Sequence, residues 1–492
     1  MHKHFDSDKR IRKRLVALSL GLCLALPMTA CEGDGPGDEV WQPETAKQST
    51  IGLPKPTLPV SPTVSTTESK TEASAPVASE NDPTVSSSAV DISVADTTAE
   101  VVTTQAPTTE PGPTIEVIDT DYECRSELTE EMFDAATTRL GSYNTYRMGQ
   151  VIKKAQAGEP VTIVMVGQTA LTGEGANYPV NSSENLLREY WKEVFPASEL
   201  RIFRDVAGAN DPYFAIHRAA MFVALMPDLV MIDYSSVDDG SDEMQRYIEN
   251  LMHRYLNCDS QPAVLFLSFA TVETTDDKDN QRIISTRYRL PELMFGDAIK
   301  VALESEVFSD RTEVISTDHF LTDAGHGIFA ATLERYLNNV RAAVRSDKIN
   351  TSYVIPASPI DAAQYSGSHI ADNETVRPSA KAGIAKGSSV SQDYPNGWTA
   401  NAPGFEVTFK VTARNFGILY RAVPDPAGAE VDVFLDGVYW KTFSCADMTL
   451  SAPCDRSIEL FAADSKAHHV VTIRQKAGTA GSFFALLALL VS

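Results

Sequence analysis

The sequence predicts an α/β domain built on a parallel sheet, followed by a β-sandwich of the jelly-roll type. Three observations predict it. From residue 143 onward, apolar runs without a polar break recur, the signature of strands buried on both faces. Stretches of helical periodicity alternate with them, as crossover helices do in a parallel sheet. Beyond residue 404 the apolar period shortens to two and turn residues punctuate the runs, as in antiparallel sandwiches.

Tyr143–Ala157 (YNTYRMGQVIKKAQA) reads as a helix ended by Gly158 and Pro160, and VTIVMV (161–166) as the first buried strand. ENLLREYWKEVF (184–195) is then a helix and LRIFRDV (200–206) a strand. PYFAIHRAAMFVAL (212–225) and PDLVMIDY (227–234) repeat the pair, as do DEMQRYIENLMHRYL (242–256) and AVLFLSFA (263–270). A last strand, TEVIST (312–317), precedes the helix AGHGIFAATLERYLNNV (324–340). Ligands of such sheets bind beyond the carboxyl ends of the strands. A site is therefore expected among 167–173, 207–211, 235–240, 271–276 and 318–326.

A Ser/Gly/Ala-rich passage near 356–392 comes next. FEVTFKV (405–411), GILYRAV (417–423) and EVDVFLDGVYWKTF (430–443) then alternate polar and apolar residues, with Asp436-Gly437 as a hairpin turn. HHVVTIRQK (468–476) and FFALLALLVS (483–492) follow. The last run is too short to span a bilayer and lacks a basic flank, so a buried closing strand is expected. His468 and His469 are adjacent on a strand and point to opposite faces, so they cannot share one metal.

The amino-terminal part is different. Among 492 residues with a net charge of −24, residues 1–30 carry six bases and two acids. A basic segment followed by LVALSLGLCLALPMTA (15–30) describes a secretory signal. Met28-Thr29-Ala30-Cys31 resembles a bacterial lipobox, with Met28 where leucine is usual, which implies lipidation at Cys31. The alternatives are an ordinary signal peptide or an uncleaved anchor; in each case the chain leaves the cytoplasm, and an extracellular, membrane-anchored location on a bacterial surface is expected. Gln42–Asp121 holds no Phe, Trp, Tyr or Cys and is too polar to bury a core, which predicts an extended Thr/Ser/Pro-rich stalk. The expected partition is a leader (1–30), a stalk (31–118), the α/β domain (119–350), a linker (351–392) and the β-sandwich (393–492). Acidity excludes nucleic acid as the main partner, because phosphate binding needs a basic face. An exported chain permits disulfides: Cys445 and Cys454 bracket a short loop and are expected to pair, while parity alone would join Cys124 to Cys258. No CxxC or His/Cys ligand spacing is present, so neither a metal nor another cofactor is expected.

The residues YRMGQVIKKAQAGEPVTIVMVGQTALTG, ENLLREYWKEVFP, PDLVMIDYSSVDDG, RYRLP and TDAGHG resemble the SGNH/GDSL hydrolases, specifically a secreted two-domain bacterial group. The resemblance runs from Tyr143 to the C-terminus. It implies a flavodoxin-like three-layer α/β/α domain and ester hydrolysis on acylated glycans, with a nucleophilic Ser on the first block, a D-x-x-H on the last, and oxyanion donors from a Gly and an Asn between them. It also implies carbohydrate or cell-wall glycan as partner, with Trp398, Tyr394, Tyr439 and Trp440 as candidate stacking residues on the sandwich.

The catalytic positions depart from that pattern. Gly167-Gln168-Thr169-Ala170-Leu171-Thr172-Gly173 places Thr169 where the serine belongs, and its methyl group crowds the nucleophile. Gly208 keeps the first oxyanion position. The second falls on Asp238, and an ionised carboxylate accepts hydrogen bonds where a donor is needed. On the last block Phe320 takes the base position and Thr317 its orienting acid; a one-residue slip brings in His319 beside Asp318. Asp323 and His326 have the literal D-x-x-H spacing, but stand where a helix N-cap and a packing residue are expected. Two accounts follow. Either the fold has lost efficient Ser-type catalysis and binds a glycan or another surface partner, or Thr169 still reacts, activated by His319 or by Asp323 and His326.

Overall fold

The α/β half is built on a five-stranded parallel sheet in the order β2-β1-β3-β4-β5. Its strands are β1 (Val161–Gly167), β2 (Leu200–Asp205), β3 (Leu229–Asp233), β4 (Ala263–Ser268) and β5 (Glu292–Met294). This computed structural model describes residues 128–138, 143–167, 173, 175–205, 211–269, 280–316, 320–361, 363–387, 391 and 393–492. The leader, the stalk, Cys31 and Cys124 lie outside them.

Period-two alternation divides β1 between two helical layers. Ile163 and Met165 pack with Val151, Leu187, Trp191 and Leu337. That layer holds α1 (Glu130–Thr137), α2 (Tyr146–Gln156), α3 (Ser183–Val194), α7 (Phe295–Glu304) and α8 (Asp323–Arg345). Val164 and Val166 pack instead with Phe214, Ile248 and Met252, on α4 (Pro212–Val223) and α5 (Asp242–Leu256), beside α6 (Asn280–Tyr288). The helices start where side-chain oxygens satisfy their free N–H groups. Ser182 caps α3, Asp211 caps α4 with Pro212 at the first helical position, and Ser241 caps α5, each worth about 1 kcal/mol. No helix among the described residues is long and apolar enough to cross a membrane.

The fifth strand is 292–294, not the expected 312–317. Arg311–Glu313 is a 3-10 turn held by a capping box between Asp310 and Glu313, and among the described residues of the run only Ile315 makes a bridge, to Leu321. The β-branched residues carried a strand signal that the local cap overrides.

The C-terminal lobe is a nine-stranded antiparallel sheet folded over its own core. Of the runs 405–411 and 417–423, residues 406–411 and 417–422 belong to one strand, β10 (Glu406–Ala422), whose register shifts near Asn415 and Gly417. Such bulges bend a strand and hide its continuity from the sequence pattern. Its partner β13 (Cys454–Gln475) takes in 468–475. β11 (Glu430–Leu435) and β12 (Val438–Ser444) meet at Asp436 and Gly437, both at positive φ. The closing run forms β14 (Phe484–Val491), buried almost throughout. The passage 351–392 is more than a linker: β6 (His369–Ala371) pairs with β14, β7 (Ala380–Ala382) with β10, and β8 (Ala385–Lys386) with β9 (Trp398–Ala400). Backbone pairing onto strands already present, not side-chain propensity, orders these small residues.

All described residues belong to one compact unit, Ala106–Ser492. The two lobes share a core in which Tyr213 and Tyr247 pack with Tyr365, Leu419, Leu487 and Leu490. Polar bonds cross the same seam. The Glu459 carboxylate accepts from Arg246 Nη2 at 2.7 Å, Tyr247 Oη at 2.9 Å and Tyr365 Oη at 2.6 Å.

One expectation about the cysteines fails. Cys445 and Cys454 are both free thiols, as is Cys258. Cys445 is buried and its thiol pushed up to about 12 by desolvation. Cys454 pairs instead through its backbone with Ala422 of β10. Sequence separation alone does not report how two side chains are aimed.

Candidate functional site

The strand order places a topological switch between β1 and β3, the usual position of a site in an open α/β sheet. Gly167 closes β1 there, at φ +122°, and a Cβ on it would stand 1.9 Å from the Asp233 carbonyl oxygen. Only glycine fits this floor.

The exit of β3 is tied down by buried polar groups. Asp233 Oδ1 accepts from the N–H and hydroxyl of Ser235, and Ser235 Oγ in turn accepts from Phe269 N–H. Tyr234 N–H donates to Gln281 Oε1 at 2.6 Å, and Gln281 Nε2 donates to Leu267 O. Asp238, at the expected oxyanion position, is fully engaged. Its carboxylate accepts from Asn280 N–H at 2.6 Å, Asn280 Nδ2 at 2.8 Å and Gly240 N–H at 3.0 Å. It anchors the N-terminus of α6, where the helix dipole favours a negative charge. Burial raises its pKa and these hydrogen bonds oppose the rise.

Gly208 lies outside the described residues, but the described residues on either side of it, Asp205 and Asp211, are held in place. Asp205 ends β2 and binds Arg218 Nε at 2.6 Å, and Arg218 Nη1 donates to Tyr394 Oη at 2.5 Å. Asp211, which caps α4, accepts from Phe214 N–H and from Ser457 Oγ of β13, both at 2.6 Å. Desolvation raises the pKa of both carboxylates. The C-terminal lobe thus holds both flanks of the second block. Neither Arg218 nor Ser457 was singled out from sequence, because their partners lie on other elements.

The last block sits on a short hairpin. Ile315 bridges Leu321, Ser316 N–H donates to Phe320 O at 2.8 Å, and Thr322 N–H donates to Val314 O at 3.0 Å. Asp318, His319 and Thr169 lie outside the described residues. Thr322, not Asp323, is the N-cap of α8. Asp323 is the first helical residue and accepts from Asn177 N–H, Asn177 Nδ2 and Asn181 Nδ2 at 2.8–2.9 Å. The Asn177 bond, with Asn181 and His326 adding to it, holds its carboxyl below the usual range. His326 is wholly buried and its Nδ1 accepts from Ser183 N–H at 3.3 Å. Asp323 and His326 together pin the segment after β1 against α8. A general base must reach the proton it removes, and a ring with no exposed surface does not present itself to substrate.

Of the candidate stacking residues, Trp398 is core, edge-on to Phe409 at 5.2 Å, and Tyr394 is bonded to Arg218. Tyr439 and Trp440 are exposed. His468 binds Thr412 Oγ1 and His469 binds Asp436. Among the described residues no group of three or more His, Cys, Asp or Glu is gathered to hold a metal ion.

A 2-1-3-4-5 parallel sheet fused through a common core to an antiparallel β lobe is also the fold of a solved two-domain protein. A solved two-domain esterase active on acetylated mannans superposes with a TM-score of 0.63 at 21% identity, over 72% of this chain and 96% of that one. The same esterase co-crystallized with mannopentaose gives 0.60 at 20% identity with the same coverage. No protein-family model matches the chain. No curated protein matches it.

Proposed function

We propose that this chain is a lipid-anchored bacterial surface protein of the carbohydrate-esterase type that binds glycan and whose Ser-type ester hydrolysis is weak or lost. The likeness over 96% of a two-domain esterase active on acetylated mannans supports the glycan side of this reading. The loss of hydrolysis rests on one observation above all. The family resemblance puts Asp238 at the second oxyanion position, its carboxylate is committed to Asn280 and Gly240, and a missing oxyanion donor costs about 10²–10³ in rate. Thr169 at the nucleophile position adds to it.

Two experiments test the reading. On p-nitrophenyl acetate and acetylated mannan, the wild type is expected to turn over no faster than Thr169→Ala. Thr169→Ser is expected to restore little, because the oxyanion donor is still missing. Turnover by the wild type that Thr169→Ala abolishes would overturn the loss of catalysis and leave glycan recognition standing. For the anchor, Cys31→Ser is expected to move the protein from the membrane fraction to the medium or the soluble fraction. An unchanged membrane share would refute lipidation at Cys31.

A further inference from the structure

The segment after β1 presents one aromatic ring to solvent on a braced backbone. Tyr178 is 67% exposed, and Val180 beside it 52%. Single exposed apolar residues are ordinary on protein surfaces; what distinguishes Tyr178 is where it stands and how its neighbours are held. Asn177 before it gives both its N–H and its Nδ2 to Asp323, and Asn181 after it gives Nδ2 to the same carboxylate. Asn181 N–H donates to Tyr178 O at 2.9 Å, Asn185 Nδ2 donates to Pro179 O at 2.6 Å, and Ser183 N–H reaches His326. These bonds fix the Tyr178 backbone at the start of α8, and Gly175 of the same segment packs closely against Phe320 and Leu321.

We propose that Tyr178 is a sugar-stacking residue of the candidate site, holding the apolar face of a neutral pyranose against its ring. This rests on the glycan reading above and adds to it a residue and the charge class of the ligand. A ring whose backbone is already ordered loses little conformational entropy when a ligand covers it. The surroundings favour an uncharged, hydroxyl-rich ligand. Residues 168–187 contain no Lys or Arg, and the nearest base in sequence, Arg188, is paired with Glu184 at 2.7 Å. An anionic ligand would meet Asp323 with no cation on this segment to receive it. Tyr439 and Trp440, also exposed, have their polar tips bonded within the C-terminal lobe, to Thr442 and to Leu460 O.

The test is isothermal titration of the mature protein with mannopentaose and xylopentaose, for wild type, Tyr178→Ala and Tyr178→Phe, with a thermal melt of each. Tyr178→Ala is expected to weaken binding about tenfold. Tyr178→Phe is expected to stay within about twofold, because stacking needs the ring and not the hydroxyl. Melting temperatures should not move, since the ring is exposed. Wild-type binding that Tyr178→Ala leaves unchanged would overturn this proposal alone. Equal weakening by Tyr178→Phe would assign the effect to the hydroxyl and overturn stacking. A wild type that takes up neither saccharide would sink the glycan reading itself, and this proposal with it.

Discussion

Replacing Arg218 by Met is expected to cost about 3–5 kcal/mol of stability, the penalty for stranding a buried charge. The side chains of Arg218 and Asp205 are only 11% and 2% exposed. The guanidinium also donates to Tyr394 and lies over the rings of Phe214 and Phe222 at 5.6 and 5.7 Å. Burial raises the Asp205 pKa and Arg218 alone supplies the opposing pull. Without it only the upward push remains. A carboxyl whose folded pKa exceeds its unfolded value of about 3.9 costs stability as pH rises through the folded value, and none below the unfolded one. The deficit of the variant should therefore be smaller at pH 5 than at pH 8. Urea midpoints at the two pH values measure this, and a deficit independent of pH would show that Asp205 is not the stranded group.

Gly167→Ala is expected to be at least as severe, at about 4–5 kcal/mol or more. The new methyl carbon would lie 1.9 Å from the Asp233 carbonyl oxygen and 2.8 Å from its carbon, with φ at +122°. Neither neighbour can yield. β1 and β3 are paired in register up to this residue, Gly167 facing Asp233, and Asp233 is itself tied to Ser235. Loss of soluble protein, or a melting temperature well below that of the wild type, is the expected result. A variant that folds with wild-type stability would mean that the two strands part more easily at the switch point than this packing allows.

The parallel sheet was legible because its three central strands, β1, β3 and β4, are buried throughout, so composition alone marks VTIVMV and LVMID. β5 was not. It has three residues, one of them the buried Glu292, and pairing with β4 rather than propensity makes it a strand. The C-terminal lobe was legible as alternation, but bulges near Asn415 and Gly417 made one long strand read as two. For the site, the sequence identified blocks and could not identify partners. Asp238 and Asn280 are 42 residues apart, Asp323 and Asn177 146. An aspartate in a loop looks the same whether it awaits a substrate or is already committed to an amide. Composition likewise could not show that the passage 351–392 carries sheet strands.

The common core between the lobes bears on how such a chain can diversify. Gly417 in β10 faces Tyr213 of α4 so closely that a Cβ on it would stand 2.1 Å from the tyrosine oxygen. A methyl gained at one position demands atoms given up at the other. The two halves therefore cannot be shuffled like beads on a string, nor a foreign sugar-binding lobe grafted onto this α/β half as a cassette. Lineages that alter one face of the seam must alter the other in step, so paired substitutions at positions such as 213 and 417 are where their shared history should be written.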